Sequence, residues 1–164
     1  MKIGLLSDTH GHLDDRIFSH FEKCDEIWHA GDIGAMELAD RLSAFKPLQA
    51  VYGNIDNRNL RQQFQEDLWL DRNGLTVLIT HIGGYPSKYN ARTRAIFREK
   101  TPDLFICGHS HILKIMRDRQ HNLLHINPGA AGVQGFHKVK TLVRFSIENA
   151  QITDLQVIEL SKRA

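Results

Sequence analysis

The segment Lys2-Ile-Gly-Leu-Leu-Ser-Asp-Thr-His-Gly-His12 decides how the rest of this chain is interpreted. Its apolar run, Ile3 to Leu6, predicts a buried strand that ends at two polar residues, Asp8 and His10. Residues two apart in an extended backbone project to the same side, so the carboxylate and the imidazole can face one point. Gly11 then lets the chain turn away. This pattern suits half of a metal site, although a polar loop with a capping aspartate gives the same pattern.

Length and composition limit the class of protein. The chain has 164 residues, enough for one complete core, and we predict a single domain over residues 1–164. A formal net charge of +2 is too small an excess to predict nucleic-acid recognition. No apolar stretch approaches the ~18 residues that a membrane span needs, and the N-terminus lacks a signal-peptide pattern. Cys24 and Cys107 form no CxxC motif, so we predict free thiols and a cytoplasmic protein.

Strand and helix patterns alternate in the first half of the chain and give way to hairpins in the second. Apolar residues at helical spacing predict helices over 14–22, 36–42 and 87–100. Strand pairs joined by turns are predicted over 67–80, 112–126 and 141–160. The first of these pairs turns at Asn73-Gly74, a strong hairpin signal. This order predicts an α/β fold, namely a four-layer α/β/β/α sandwich of two mixed sheets flanked by helices.

Polar residues of metal-binding type follow five predicted strands. In chain order they are Asp8 with His10, Asp32, Asn54, His81, and His109 with His111. Four of these positions have a neighbouring glycine, which permits the tight or positive-φ backbone that turns a side chain over a sheet end. One Gly-Asp or Gly-Asn pair is more often a turn, but the whole ordered series favours a site. Because ligands collect at the carboxyl ends of parallel strands, we predict that these side chains meet there.

The same motifs resemble those of the calcineurin-like metallophosphoesterase superfamily. The matching motifs are Asp8-Thr-His10, Gly31-Asp32, Gly53-Asn54, His81 and Gly108-His-Ser-His111. In size the chain is similar to the small bacterial and archaeal phosphodiesterase group, to which the retromer small subunit is related. The resemblance implies one metal ion held by Asp8, His10, Asp32 and His111. It implies a second ion held by Asp32, Asn54, His81 and His109, with Asp32 bridging the two.

The resemblance also implies a function. The chain would be a phosphodiesterase in which a hydroxide bridging two divalent ions attacks phosphorus in line with the leaving oxygen. The mixed oxygen and nitrogen ligands suit Mn²⁺ first, with Ni²⁺, Zn²⁺, Fe or Co²⁺ as alternatives. The implied catalytic residues include Asp32, Asn54 and His109, and the Asn54 amide can donate to a phosphate oxygen. We expect a small phosphoester substrate and, as the commonest oligomer, a homodimer.

The chain departs from the superfamily pattern at two places. In many members a histidine after the Gly-Asn motif is thought to protonate the leaving group, whereas Gly53-Asn-Ile-Asp56 has none. Asp56 is the nearby titratable residue and a candidate catalytic acid, with an Asx turn or a salt bridge as an equal alternative. Without a histidine acid we expect good leaving groups, such as an aryl phosphodiester. After His81, the small residues of Ile82-Gly-Gly84 replace an HGH pattern and are expected to widen the cleft.

Three further features have more than one interpretation. His29 is either a buried core histidine or a residue that orients a metal ligand. The segment Lys88 to Arg98, with Arg92, Arg94 and Arg98, is either a solvated helix face or an attractor of anionic substrate. The other histidines lack motif support and are interpreted as structural or surface residues: His12, His20, His121, His125 and His137. The alternative to an enzyme is a non-catalytic protein-interaction scaffold on the same fold, like the retromer small subunit.

Overall fold

The computed structural model describes residues 1–162 as two five-stranded sheets with helices. The strands in this part of the chain are β1 (Lys2–Leu6), β2 (Glu26–His29), β3 (Leu48–Ala50), β4 (Asp67–Arg72), β5 (Leu75–Thr80), β6 (Leu104–Ile106), β7 (Leu113–Asp118), β8 (Leu123–Pro128), β9 (Val139–Glu148) and β10 (Gln151–Lys162). The helices are α1 (Arg16–Phe21), α2 (Met36–Phe45), α3 (Arg58–Gln63) and α4 (Ala91–Glu99).

Both sheets are mixed. The first has the order β10-β9-β1-β2-β3, in which β1, β2 and β3 are parallel and β9 and β10 are antiparallel to their neighbours. The second has the order β4-β5-β6-β8-β7, with β5, β6 and β8 parallel and both edge strands antiparallel. The predicted α/β sandwich of two mixed sheets flanked by helices is confirmed.

Buried apolar clusters correspond to the interfaces between the layers. Leu5 of β1 belongs to the cluster between the sheets, together with Ile79 of β5. Leu6, the next residue, points to the other face because side chains alternate along a strand, and it packs in a cluster with Phe21 of α1. Phe97 of α4 covers the outer face of the second sheet. Strand β1 is therefore buried on both sides, which explains its nearly continuous apolar run.

The helices begin and end near the predicted residues, with one clear difference. Helix α4 begins at Ala91 rather than at Ser87, because the Asn90 side chain accepts a hydrogen bond from Thr93 N at 2.8 Å and caps the helix. Ser87 itself has a φ of 72°, which is incompatible with a right-handed helix. Across residues 1–162, no helix combines the length and the apolar character that crossing a membrane requires.

The loops after the parallel strands of the two sheets meet one another. The backbone N–H of His109, after β6, donates to both carboxylate oxygens of Asp8, after β1, at 3.2 and 3.1 Å. The ring of His81, after β5, contacts the carbonyl oxygen of Ala30, after β2, at 2.8 Å. The sandwich therefore brings polar residues from both sheets to one place, as the predicted strand order requires.

Candidate metal centre

The predicted ligand residues converge in two groups. Donor atoms of Asp8, His10 and His111 all lie within 4.8 Å of one another, and we call these three residues the first cluster. Donor atoms of Asp32, His81 and His109 meet the same distance limit, and these residues form the second cluster. Residues from four different loops thus contribute to one region, and Asn54 adds a fifth loop. Each cluster combines carboxylate oxygen with imidazole nitrogen, the mixed ligand set of transition-metal sites.

Asp32 lies between the two clusters. Its Oδ2 atom is 3.2 Å from His81 Nε2 in the second cluster and 3.6 Å from His10 Nε2 in the first. Its other oxygen, Oδ1, accepts a hydrogen bond from Ile55 N at 3.0 Å, so the carboxylate is held in this orientation. The Asp32 side chain is 3% exposed. One carboxylate oxygen therefore faces both groups of donors, which is the position that a bridging ligand requires.

The predicted ligand Asn54 joins the second cluster. Its Oδ1 atom is 3.1 Å from His81 Nε2. The loop that presents it is fixed by Arg61, whose guanidinium donates to the carbonyl oxygens of Asn54 at 3.0 Å and Asp56 at 2.7 Å. Arg61 lies on α3, in a polar segment without motif character, so no local sequence signal identified it as a support for the site.

The predicted ligand residues adopt strained backbone conformations. Positive φ angles occur at five of them: Asp8 (53°), His10 (48°), Asp32 (54°), His109 (67°) and His111 (59°). Residues with a side chain rarely adopt this left-handed conformation, and it persists at functional sites where the surrounding structure enforces it. Among the neighbouring glycines, Gly11 and Gly31 also have positive φ, as expected.

Two other glycines are needed for space rather than for φ. A Cβ atom on Gly53 would lie 2.0 Å from Asp32 Oδ1. A Cβ atom on Gly108 would lie 2.1 Å from Ser7 Oγ and 2.8 Å from Asp8 Oδ2. Any side chain at either position would displace a predicted metal ligand. The glycine pattern seen in the sequence therefore has two physical causes, backbone conformation at some positions and close approach at others.

The orientation of His81 fits a cation. The carbonyl oxygen of Ala30 can only accept, so the hydrogen on the ring lies on Nδ1 and the neutral imidazole directs a lone pair from Nε2. That lone pair faces Asp32 Oδ2 and Asn54 Oδ1, which are acceptors as well. Burial lowers the pKa of His81, but its contact with Asp32 and the charge of Asp8 outweigh burial and raise the pKa overall. The site thus attracts positive charge.

The first cluster also has an arrangement of donor atoms that fits a cation. His10 Nε2 and His111 Nε2 are 3.2 Å apart, and Asp8 Oδ1 is 3.3 Å from His111 Nε2. The hydrogen bond with Asp8 raises the pKa of His111, whereas burial lowers the pKa of His10. Two imidazole nitrogens and one carboxylate oxygen that converge on one point fit a divalent metal ion.

Asp56 has the structural role that the sequence left open. Its two carboxylate oxygens accept hydrogen bonds from the backbone N–H groups of Gly53 (2.7 Å), Gly34 (2.7 Å) and Ile33 (3.1 Å). The residue is 4% exposed. A carboxylate enclosed by three N–H donors is poorly placed to protonate a leaving group. These contacts favour a turn and a link between the loops after β2 and β3, and they count against the predicted catalytic acid.

His29 combines both of its interpretations. It is fully buried, and burial lowers the pKa of its ring to about 4, so the ring is neutral. Nδ1 accepts from Gly31 N at 3.1 Å, and Nε2 therefore donates to Thr9 Oγ1 at 2.9 Å. Thr9 lies between Asp8 and His10. His29 is thus a core residue that also ties together the loops carrying the first and second clusters.

Two cavities flank the second cluster. One, of about 340 Å³, is lined by residues that include Asn54, His81 and Arg92. The other, of about 320 Å³, is lined by residues that include His109 and the segment Ile82–Tyr85. Of the three predicted arginines only Arg92 lines either of these cavities, and it is paired with Asp67. Arg94 and Arg98 line a different cavity. The basic helix therefore presents only part of its charge near the site.

The fold and the two clusters define a metal-binding α/β-sandwich protein. Residues 1–150 match the family model of the calcineurin-like phosphoesterase superfamily domain. The chain is also 31% identical to a probable metallophosphoesterase of Methanocaldococcus jannaschii, in an alignment covering 97% of this chain and 82% of that protein. The chain therefore belongs to the calcineurin-like phosphoesterase superfamily, as its motifs predicted, and is a metal-dependent phosphoesterase.

Solved structures share the fold. An archaeal phosphodiesterase superimposes with a TM-score of 0.78 at 22% identity, over 98% of this chain and 100% of that one. Vps29 of Entamoeba histolytica, solved in complex with zinc, superimposes with a TM-score of 0.74 at 16% identity, over 98% of this chain and 99% of that one. At these identities the likeness concerns the fold.

Proposed function

We propose that this protein is a phosphodiesterase that uses two divalent metal ions, one at each cluster. The observation that carries the proposal is the position of Asp32 Oδ2, which faces His81 at 3.2 Å and His10 at 3.6 Å. The choice of a diester as substrate is supported by the phosphodiesterase among the structures that share the fold. A small phosphoester fits the two cavities of about 340 and 320 Å³.

The ligand assignment follows the two clusters. Asp8, His10, Asp32 and His111 would hold the first ion, and Asp32, Asn54, His81 and His109 the second. Mn²⁺ is our first choice for this oxygen and nitrogen set, ahead of Ni²⁺, Zn²⁺, Fe and Co²⁺. When bound, such a pair of ions polarises phosphoryl oxygens and lowers the pKa of a bound water.

The protein residues orient the substrate. His109 of the second cluster and the neighbouring Asn54 are exposed, so they can contact a phosphate that approaches from solvent. The Asn54 amide nitrogen donates to a phosphoryl oxygen while its Oδ1 faces His81. Asp8 and Asp32 are buried and held by backbone N–H groups, so their carboxylates are already oriented before substrate arrives. We therefore assign catalytic roles to Asp32, Asn54 and His109.

The leaving group is expected to depart without help from a side-chain acid. The loop Gly53-Asn-Ile-Asp56 contains no histidine, and the Asp56 carboxylate is occupied by backbone N–H groups. Departure then depends on the stability of the leaving anion. We expect aryl phosphodiesters to be hydrolysed much faster than alkyl diesters.

The test is hydrolysis of bis-p-nitrophenyl phosphate by metal-free protein to which Mn²⁺, Ni²⁺ or Zn²⁺ is added back. We expect turnover with at least one of these ions and none without them. His109→Ala should remove most of the activity because it deletes an exposed ligand, whereas His20→Ala, on α1 and in neither cluster, should retain it.

A failure of this test would favour the scaffold. No turnover with any ion would contradict the enzyme and support a protein-interaction role on the same fold. Undiminished turnover in His109→Ala would show that the hydrolysis does not arise at the second cluster and would contradict the proposed site. Every predicted ligand position here has a metal-competent side chain, which favours the enzyme. The homodimer, the single domain and the absence of nucleic-acid recognition stay predictions.

A further inference from the structure

The cavity next to His109 contains a buried polar side chain that the rest of the described chain does not satisfy. The cavity has a volume of about 320 Å³, and its lining includes His125 of β8. His125 is 1% exposed, and among residues 1–162 neither of its ring nitrogens has a hydrogen-bond partner. Leaving such a group unpaired costs free energy, and native structures seldom do so without a reason.

The chemistry of His125 defines what can pair with it. Burial lowers the pKa of its ring to about 4, and the positive charge of Lys114 acts in the same direction. The ring is therefore neutral near pH 7, with one nitrogen that donates and one that accepts. Because the two nitrogens point in different directions, one ligand edge pairs with one of them, through an acceptor for the N–H or a donor for the lone pair.

The walls of the cavity are largely apolar. Tyr85, Ile82 and Ile112 are its apolar lining residues, and the two isoleucines are 42% and 62% exposed. Asn90, Ser110 and Asn127 are polar residues of the same lining. Gly83 and Gly84 contribute only backbone. Neither can readily change, because a Cβ on Gly83 would lie 2.4 Å from Phe105 and Gly84 has a φ of 82°. Such walls suit the two faces of a planar ring.

The charge at the cavity disfavours a cationic ligand. The Lys114 ammonium lies 3.9 Å from the centroid of the Tyr85 ring. Within residues 1–162 it forms no ion pair with a carboxylate. An uncompensated positive charge at the cavity favours a neutral or anionic group over a cation.

We propose that this cavity binds one ester group of the substrate, and that this group is a nucleoside whose base reaches His125. The inference rests on the proposed phosphodiesterase and names its substrate class. His109 belongs both to the second cluster and to the cavity lining, so a phosphate at that cluster has this cavity beside it. A nucleobase is planar and neutral and carries donors and acceptors on its edge. The volume lies at the low end for ligand sites, which fits one nucleoside and not an oligonucleotide.

The test compares two substrates with the same leaving group. One is the p-nitrophenyl ester of thymidine 5′-monophosphate, and the other is methyl p-nitrophenyl phosphate. His125→Phe retains an aromatic ring but removes both nitrogens. We expect it to raise KM for the thymidine ester by about five- to tenfold, the effect of one lost hydrogen bond, and to leave KM for the methyl ester unchanged. Equal effects on both esters, or no effect on either, would overturn the proposal.

His121→Phe is the matched control. His121 contacts Tyr89, as His125 does, but lines a different cavity. We expect this variant to have the same KM as the wild type for both esters. Thermal unfolding of both variants establishes that they are folded.

A second measurement uses the wild-type protein and does not require turnover. In Zn²⁺-loaded protein, the imidazole NMR signals of His125 are followed during titration with thymidine 5′-monophosphate and, separately, with inorganic phosphate. We expect them to shift with the nucleotide alone. Absence of a shift, or an equal shift with both ligands, would contradict the proposal that this cavity binds a nucleoside, and would not contradict the proposed phosphodiesterase activity. If no diester is hydrolysed, the phosphodiesterase fails and this titration still decides the pocket.

Discussion

The two ligand clusters differ in how far solvent reaches them. In the first cluster Asp8 is fully buried, and His10 and His111 are half-buried. The second cluster and its neighbour Asn54 are more open, since Asn54 and His109 are exposed and each lines one of the two flanking cavities. A metal ion in the first cluster is therefore expected to exchange slowly and to serve as an anchor. The second cluster is where we expect the substrate to enter.

The clusters are nevertheless joined. Asp32 faces both, and the His109 backbone N–H donates to Asp8 across the boundary between them. Removing a shared group should damage both positions, whereas removing a group of the first cluster alone should damage one. The predictions below test this difference in order of decreasing effect.

The largest effect is expected from Asp32→Ala, which removes the oxygen that faces both clusters. Losing several kcal/mol of transition-state stabilisation corresponds to about a thousandfold lower kcat/KM for bis-p-nitrophenyl phosphate. Elemental analysis should show fewer than two ions per chain. Asp40→Ala, an exposed aspartate on α2, is the matched control and should be unaffected. Near-normal activity in Asp32→Ala would contradict the shared role.

Asp8→Asn should separate the two clusters. The substitution replaces a charged ligand of the first cluster with a neutral amide. The amide N–H₂ group also cannot accept the hydrogen bond that the backbone N–H of His109 donates to the Asp8 carboxylate. We expect the metal content of the variant, measured by elemental analysis, to decrease from two ions per chain toward one, because the ion at the second cluster is retained. Simultaneous loss of both ions, or retention of both, would contradict the assignment.

Metal affinity should decrease at lower pH. The pKa values of His81 and His111 are raised above 6.5, so protons compete with the metal at both clusters as the pH falls through these values. Above them the competition disappears and affinity levels off. Titration of metal-free protein with Mn²⁺ at pH 8 and pH 6 should show weaker binding at pH 6, by about tenfold per pH unit for each proton displaced. Equal affinities would contradict this account.

The smallest effect is expected from Asp56→Asn. The variant retains the size of the side chain, but its amide N–H₂ group cannot accept the hydrogen bonds that the carboxylate receives from backbone N–H groups. The loop that carries Asn54 is therefore less firmly held. We expect kcat/KM to fall by about tenfold, in the range of other outer supports of metal ligands. The pH profile of kcat should keep its shape, since Asp56 moves no proton in our account. Loss of the alkaline limb would restore Asp56 as the catalytic acid.

The convergence of the predicted ligand residues could be predicted because each follows a strand, and both the strand and the polar residue after it are visible in the sequence. Family membership followed from the same residues. Helix α4 was predicted too long, because the spacing of its apolar residues does not reveal that the Asn90 side chain caps the helix through Thr93 N.

Roles that depend on distant partners could not be predicted. Asp56 receives two of its N–H donors from Ile33 and Gly34, more than 20 residues away, so its neighbours in sequence gave no sign of its role. His125 has no motif, and its importance lies in contacts that it does not make. Only the packed structure distinguishes such a histidine from an ordinary core residue.

The central claim is that one carboxylate, Asp32, joins two metal positions. A crystal structure of the Mn²⁺-loaded protein with anomalous scattering tests it directly. We predict two manganese peaks per chain, roughly 3.5–4 Å apart, both within ligand distance of the Asp32 carboxylate. A single peak, or two peaks of which only one contacts Asp32, would contradict the account.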